Sequence, residues 1–138
     1  MIMDKLGEFS DGQALTATAA STNTVDLLAD RNIGRGETLW IVITLDVGAD
    51  DTTGDETYSV AVQTDDNSSF SSATTIGTIT INRGDAAGTK YVFAMPYNNE
   101  RYLRLNYTLG GTTPTVTLNA WITNMEPESW EALPEATN

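Results

Sequence analysis

Residues 39–47 read LWIVITLDV, and this stretch decides the fold class. Its odd-numbered positions are all aliphatic, whereas the even-numbered positions include the polar residues Thr44 and Asp46. A repeat of two residues is the side-chain spacing of a β-strand with one face buried. The stretch therefore predicts a strand that places one face on a hydrophobic core.

The same alternation recurs along the chain and predicts a sheet protein. It is clear in residues 58–63, 90–95, 102–109 and 116–123, and weaker in 15–20, 25–28 and 76–81. Turn compositions rich in Gly, Asn, Asp and Pro separate these stretches, and no stretch shows a helical period over ten residues. The sequence predicts an all-β fold, an antiparallel β-sandwich in the form of a jelly roll of about eight strands. An immunoglobulin-like sandwich is the structural alternative, because it differs mainly in strand order.

The length and a change of composition predict one domain with a tail. A chain of 138 residues has the size of a single domain. After Thr123 the composition becomes acidic and contains no basic residue. We therefore expect a jelly-roll domain at 1–123 and an acidic C-terminal tail at 124–138. Trp130 and Leu133 could anchor this tail on a neighbouring subunit, and a frayed acidic end is the alternative.

Charge and composition narrow the classes of function. The chain has 19 acidic and 7 basic residues and a formal charge of −12, which argues against binding to nucleic acids or anionic membranes. It contains no Cys and no His, so thiolate nucleophiles, Ser-His-Asp triads and most transition-metal sites are excluded. We expect no enzymatic activity, no cofactor and no metal.

Two features keep other readings open. The acidic stretch 46–66 has the oxygen ligands that Ca²⁺ prefers, but it lacks an EF-hand frame, so solvated turns are favoured. Trp40, Tyr102 and Trp121 lie opposite the main apolar stripe of their strands. They could form a sugar-stacking platform or an assembly surface, or the chain's own loops and tail could cover them.

Several segments together resemble the capsid cement (decoration) proteins of short-tailed double-stranded-DNA bacteriophages. The order and spacing of these segments carry the resemblance, and they are residues 1–6, 10–14, 16–23, 26–27, 31–37, 63–66 with Phe70, and 100–107. The loops at 48–57 and 82–88 and everything after Thr123 depart from the family pattern.

The resemblance implies a non-enzymatic jelly-roll protein on the outer surface of the virion. It would be made in the host cytoplasm, would bind across neighbouring major capsid subunits, and would be a homodimer rather than a trimer. Arg suits bidentate pairing with carboxylates at such contacts, although Arg104 could equally neutralise local acids. The candidate capsid or oligomer interface is Arg31, Arg35, Trp40, Arg101, Tyr102, Trp121 and Trp130. The alternative function is a carbohydrate-binding or adhesin-like β-sandwich module.

Overall fold

The structure is a computed structural model that describes residues 4–30 and 38–125. These ranges contain one short 3₁₀ helix, Lys5–Gly7, and nine strands. The strands are β1 (Glu8–Leu15), β2 (Ala19–Ala20), β3 (Val25–Asp26), β4 (Trp40–Val47), β5 (Thr57–Asp65), β6 (Thr74–Ile81), β7 (Lys90–Ala94), β8 (Tyr102–Gly110) and β9 (Val116–Thr123). Residues 126–138 of the predicted tail at 124–138 lie outside the described residues, and β9 ends at Thr123.

The strands form two sheets that pack face to face. One sheet has the order β1-β9-β4-β7, and the other has the order β2-β8-β5-β6, with β3 also paired to β8. All of these pairs are antiparallel. The predicted antiparallel β-sandwich is confirmed.

The strand order is that of a jelly roll. β2 and β3 both pair with β8, through Ala19 opposite Tyr107 and Val25 opposite Leu103, so they act as one interrupted strand. The first half of the chain then pairs with the second half in reverse: β1 with β9, β2 and β3 with β8, β4 with β7, and β5 with β6. A long hairpin rolled into two sheets in this way is an eight-stranded jelly roll.

Alternation along the two strands β4 and β8 supplies much of the core. Ile41 and Ile43 of β4 are fully buried, as are Leu103 and Leu105 of β8. They belong to one cluster that draws side chains from both sheets. Burial of each such side chain stabilises the fold by roughly 1.5–3 kcal/mol.

The first strand was not predicted, because polar residues interrupt its alternation. β1 is an edge strand with two register shifts in its pairing to β9. Ser10 is almost fully buried, and its hydroxyl lies 2.7 Å from the hydroxyl of Tyr107 in the opposite sheet. Gly12 adopts a positive φ of 57°, and its amide donates to the side chain of Asn119. A satisfied hydroxyl thus takes a core position that periodicity assigns to an apolar residue.

The weaker predicted strands at 15–20 and 25–28 are shorter in the structure. Leu15 ends β1, and only Ala19 and Ala20 pair as β2. β3 ends at Asp26 because Leu28 adopts a left-handed backbone, with a φ of 69° that no extended strand allows.

Leu105→Ala tests the core. We expect the free energy of unfolding to fall by roughly 2–5 kcal/mol in chemical denaturation, because a fully buried leucine leaves a cavity. Thr108→Ala, at an exposed position of the same strand, is the control and should change stability by less than about 0.5 kcal/mol. Equal losses in the two variants would contradict the inward orientation of Leu105.

Candidate functional site

The candidate interface residues that the structure describes, Trp40, Arg101, Tyr102 and Trp121, do not all come together in one place. Arg31, Arg35 and Trp130 lie outside the described residues. Trp40 and Trp121 lie on β4 and β9 of one sheet, whereas Tyr102 begins β8 of the other sheet and directly follows Arg101. The two sheets carry these side chains on opposite sides of the sandwich.

Trp40 and Trp121 share the outer face of their sheet. Trp121 is opposite Val42, and Trp40 is opposite Thr123, so the two indoles are diagonal neighbours across a strand pair. Trp121 is only 7% exposed and Val42 is fully buried, although neither belongs to the core cluster between the sheets. The chain itself covers this face at Trp121. An open platform made from all three aromatic residues is therefore not formed.

Arg101 is held by an acidic residue of a neighbouring strand. Its Nε and Nη2 atoms donate to the two carboxylate oxygens of Asp26 at 2.8 and 2.9 Å. Its guanidinium carbon lies 4.8 Å from the ring centroid of Tyr102, which is opposite Asp26 in the β3–β8 pair. The hydrogen bonds from Arg101, followed by one from the Leu28 amide, lower the pKa of Asp26 to about 2. A bidentate, charge-assisted pair of this kind fixes both side chains in one geometry.

Asp26 also fixes the backbone that follows it. Its Oδ1 atom accepts a hydrogen bond of 2.8 Å from the amide of Leu28. Leu28 has a φ of 69°, and its side chain is 73% exposed. A non-glycine residue in the left-handed region costs roughly 1–2 kcal/mol. The pair Asp26–Arg101 therefore stabilises a strained turn whose main visible result is a leucine pointing into solvent.

A second exposed leucine lines the same surface groove as the first. Leu6 is 81% exposed, and it lines this groove together with Leu28. Lys5 and the nearly buried Glu8 form an ion pair of 2.5 Å within the same groove. We call this surface the leucine groove: Lys5, Leu6, Glu8, Asn23, Thr24, Asp26 and Leu28.

The leucine groove has the composition of a protein-binding surface. Two apolar side chains stand free, and ion pairs flank both of them. Apolar anchors with a polar surround are typical of interfaces between proteins. Of the predicted interface residues, Arg101 is connected to the leucine groove because it donates hydrogen bonds to Asp26, which lines the groove. Sequence analysis missed Leu6 and Leu28, because an exposed leucine has no signature in a period-two pattern.

Among the described residues, Arg104 contacts an amide side chain and an aromatic ring. Its Nε atom donates to the amide oxygen of Gln63 at 2.8 Å, and its guanidinium carbon lies 4.3 Å from the ring centroid of Phe70. Phe70 has a positive φ of 51°. Arg104 therefore supports the turn after β5 and is half-buried on the outer face of β8.

The acidic stretch builds turns. Glu56 is 1% exposed, and its Oε1 atom accepts from the amide of Thr53 at 2.9 Å and from the Thr53 hydroxyl at 2.5 Å. These bonds lower the pKa of Glu56 to about 2. Asp65 accepts from the amides of Asn67 and Ser72, which lowers its pKa. Within 4–30 and 38–125, no group of three or more acidic side chains is arranged to hold a metal ion.

The Asp26–Arg101 pair makes a direct prediction about pH. In a carbon-13 NMR titration the Asp26 carboxyl should titrate near its lowered pKa of about 2, and Arg101→Ala should raise this midpoint towards the ordinary 3.8. Because the pKa of Asp26 is lower in the folded state, the charged pair stabilises the fold fully at pH values above the ordinary pKa of 3.8. This stabilisation is lost as the pH falls through the lowered pKa of about 2. Arg104→Ala is the control and should leave the midpoint unchanged. An unchanged midpoint in Arg101→Ala would contradict the pair.

A comparison with protein-family models identifies the family of this chain. A family model named Bbp16 matches residues 9–122, a segment that begins within β1, ends within β9 and includes all strands between them. A search of curated proteins found no match. The described residues contain no helix that is long and apolar enough to cross a membrane. The match covers most of the chain, and the protein therefore belongs to the Bbp16 family, a phage-associated family that fits a virion-related protein.

Proposed function

We propose that this protein is a non-enzymatic capsid cement (decoration) protein. It binds the outer surface of an icosahedral phage capsid across neighbouring major capsid subunits and stabilises the shell. The phage-associated family supports a place in the virion. The resemblance to cement proteins, which spans most of the chain from Met1 to Thr123, supports the more specific role. Synthesis takes place in the host cytoplasm, and the protein joins the capsid from outside.

The exposed, strained Leu28 is the observation that carries this proposal. The fold holds the side chain 73% exposed, on a backbone that leucine adopts only at a cost. Arg101 and Asp26 are both used to keep that turn in place. The strained backbone at Leu28 is explained if a partner receives the exposed side chain. We assign that partner to the major capsid protein.

The charge of the chain defines what the capsid surface must offer. A molecule with a formal charge of −12 is attracted to basic patches and repelled by acidic ones. At the leucine groove, Lys5 is paired with Glu8 and Arg101 is paired with Asp26. An apolar surface that approaches the groove therefore meets cations that are already paired. The receiving site is therefore an apolar depression with basic residues at its rim.

Copy number strengthens such a contact. We propose a homodimer, whose two leucine grooves engage two capsid subunits at once. The second contact is then intramolecular, so the dimer binds more tightly than either groove alone.

Other functions have less support from the geometry. Glu56 and Asp65, the acids buried among the described residues together with Glu8, hold turns and are not paired across a cleft as a glycosidase requires. A carbohydrate-binding module would need Trp40, Tyr102 and Trp121 on one accessible face. The proposed role therefore remains structural, without cofactor or catalysis.

Leu28→Asn tests the proposal by co-sedimentation with capsids assembled from the major capsid protein alone. Asn tolerates a positive φ, so the turn is kept while the apolar anchor is lost. Burial of a leucine contributes roughly 1.5–3 kcal/mol, and each 1.4 kcal/mol is a factor of ten in binding. We therefore expect retention at least about tenfold weaker than that of the parent.

Val47→Asn is the matched control for this measurement. Val47 is also an exposed apolar residue, 56% exposed, but it ends β4, whereas the leucine groove lies beside β3. This variant should bind capsids like the parent. A parent protein that does not bind capsids but binds a glycan would overturn the cement function. Equal retention of Leu28→Asn and the parent on capsids would overturn the role of Leu28.

A further inference from the structure

Four edges bound the two sheets of the sandwich, and they are not equally protected. The edge strands are β1 and β7 in one sheet, and β6 and the interrupted strand β2–β3 in the other. An edge strand presents unpaired backbone N–H and C=O groups, and monomeric proteins block such edges with charges, bulges or short strands.

Three of the four edges carry such blocks. β1 has two register shifts, and it contains the charged residues Glu8 and Asp11. β2 and β3 have two residues each, and β7 carries the exposed Lys90 at its start. Each of these edges is too irregular, too short or too charged to add another strand.

The fourth edge, β6, has none of these charges. Its eight residues read TTIGTITI, and the chain carries no charged residue from Asn67 to Asn82. β-Branched residues dominate the strand, and it contains no proline. Its sole irregularity in the pairing with β5 is between Gln63 and Val62, where Ile76 is the extra residue. The segment from Gly77 to Ile81 is regular, and five residues are enough for a short strand.

We propose that a second copy of this chain pairs with β6, antiparallel and edge to edge across a two-fold axis at Ile79. In this arrangement Gly77 is opposite Ile81 of the second copy, and Thr78 is opposite Thr80. The inference deepens the proposed homodimer by naming its contact, but it can be tested without a capsid.

The side chains of the segment suit this symmetric pairing. Thr78 and Thr80 are exposed and lie opposite Ala61 and Ser59 of β5, on the outer face of the sheet. Ile79 is opposite Val60 and packs against the core from the inner face. The two-fold axis would place Ile79 beside its own copy, so the apolar inner row would continue from one chain into the next. Threonine pairs would continue the outer row.

The charge of the chain favours a second copy as the occupant of this edge. Two molecules with a formal charge of −12 repel each other, so a self-contact is favourable only where little charge is brought together. β6 is such a place, and its β5 neighbours on the outer face, Ser59, Ala61 and Gln63, are also uncharged. The contact is isologous, because the same strand serves both partners and the pairing closes after two copies.

Charge-swapped variants test the proposal by sedimentation equilibrium. The parent should be a dimer of the 14.9 kDa chain. The double variant Thr78→Lys with Thr80→Lys would place like charges opposite each other, and so would Thr78→Glu with Thr80→Glu. Each variant alone should dimerise at least tenfold more weakly than the parent. An equimolar mixture of the two should recover dimers, because opposite charges then face each other across the new pair.

A matched control separates the edge from the face of the sheet. Thr16→Lys with Thr108→Lys places the same charges on exposed positions of the β1–β2 connection and of β8, neither of which pairs with β6, and should remain dimeric. Thermal melting checks that every variant is folded. The recovery of dimers in the equimolar mixture is a second check of folding for the two charge-swapped variants. A monomeric parent, a lysine variant that still dimerises like the parent, or a mixture that stays monomeric would each overturn the proposal.

Capsid co-sedimentation distinguishes this inference from the proposed function. A dimeric parent that ignores capsids would overturn the cement function and leave the β6 contact standing. A different outcome is a parent that is monomeric in solution and binds capsids, with a lysine variant that does not bind them. It would show that β6 receives a strand of the capsid protein, and it would overturn pairing with a second copy.

Discussion

The structure depends on the packing of the two sheets against each other through their apolar inner faces, to which β4 and β8 contribute fully buried side chains. Ile41, Ile43, Leu103 and Leu105 are all fully buried there. Because side chains alternate along a strand, an apolar inner row forces the residues between onto the outer faces. The outer faces therefore need not pack the core. On β5, β6 and β8 they carry mainly threonine, serine and amide side chains, with Tyr102 and Arg104 near the start of β8, and these surfaces are available for other roles.

The leucine groove is a consequence of jelly-roll topology. Asp26 and Arg101 are separated by 75 positions in the chain, but β3 pairs with the start of β8 and brings them together. The bidentate pair holds Asp26 in place, and Asp26 in turn holds the turn at Leu28. Leu27, the preceding residue, faces the other way and packs against the core. One turn thus packs one leucine, partly buried, against the core and exposes the next.

Sequence reasoning succeeded where one local rule determines the structure and failed where register or backbone strain decides. Strict alternation located β4, β8 and β9 almost to the residue. β1 escaped because Ser10 takes an inward position and satisfies its hydroxyl on Tyr107, a partner that only the tertiary fold supplies. The exposure of Leu28 was not predicted, because its positive φ accompanies a hydrogen bond to the side chain of Asp26, two residues earlier. The cover over Trp121 and the partner of Arg101 both require the strand register, which periodicity does not contain.

The two proposed surfaces lie at opposite edges of the same sheet, and this arrangement has a geometric consequence. The order across that sheet is β3, β8, β5 and β6, with the leucine groove beside β3. Pairing two copies through β6 would create a continuous sheet in which seven strand spacings separate β3 from its symmetry mate. At about 4.8 Å per spacing, the two β3 strands would lie about 34 Å apart before twist. A dimer joined in this way would present its two leucine anchors at its far ends, pointing to separate subunits of a shell. Because avidity requires that both contacts form together, the rigid sheet between the anchors would select pairs of capsid sites at that separation.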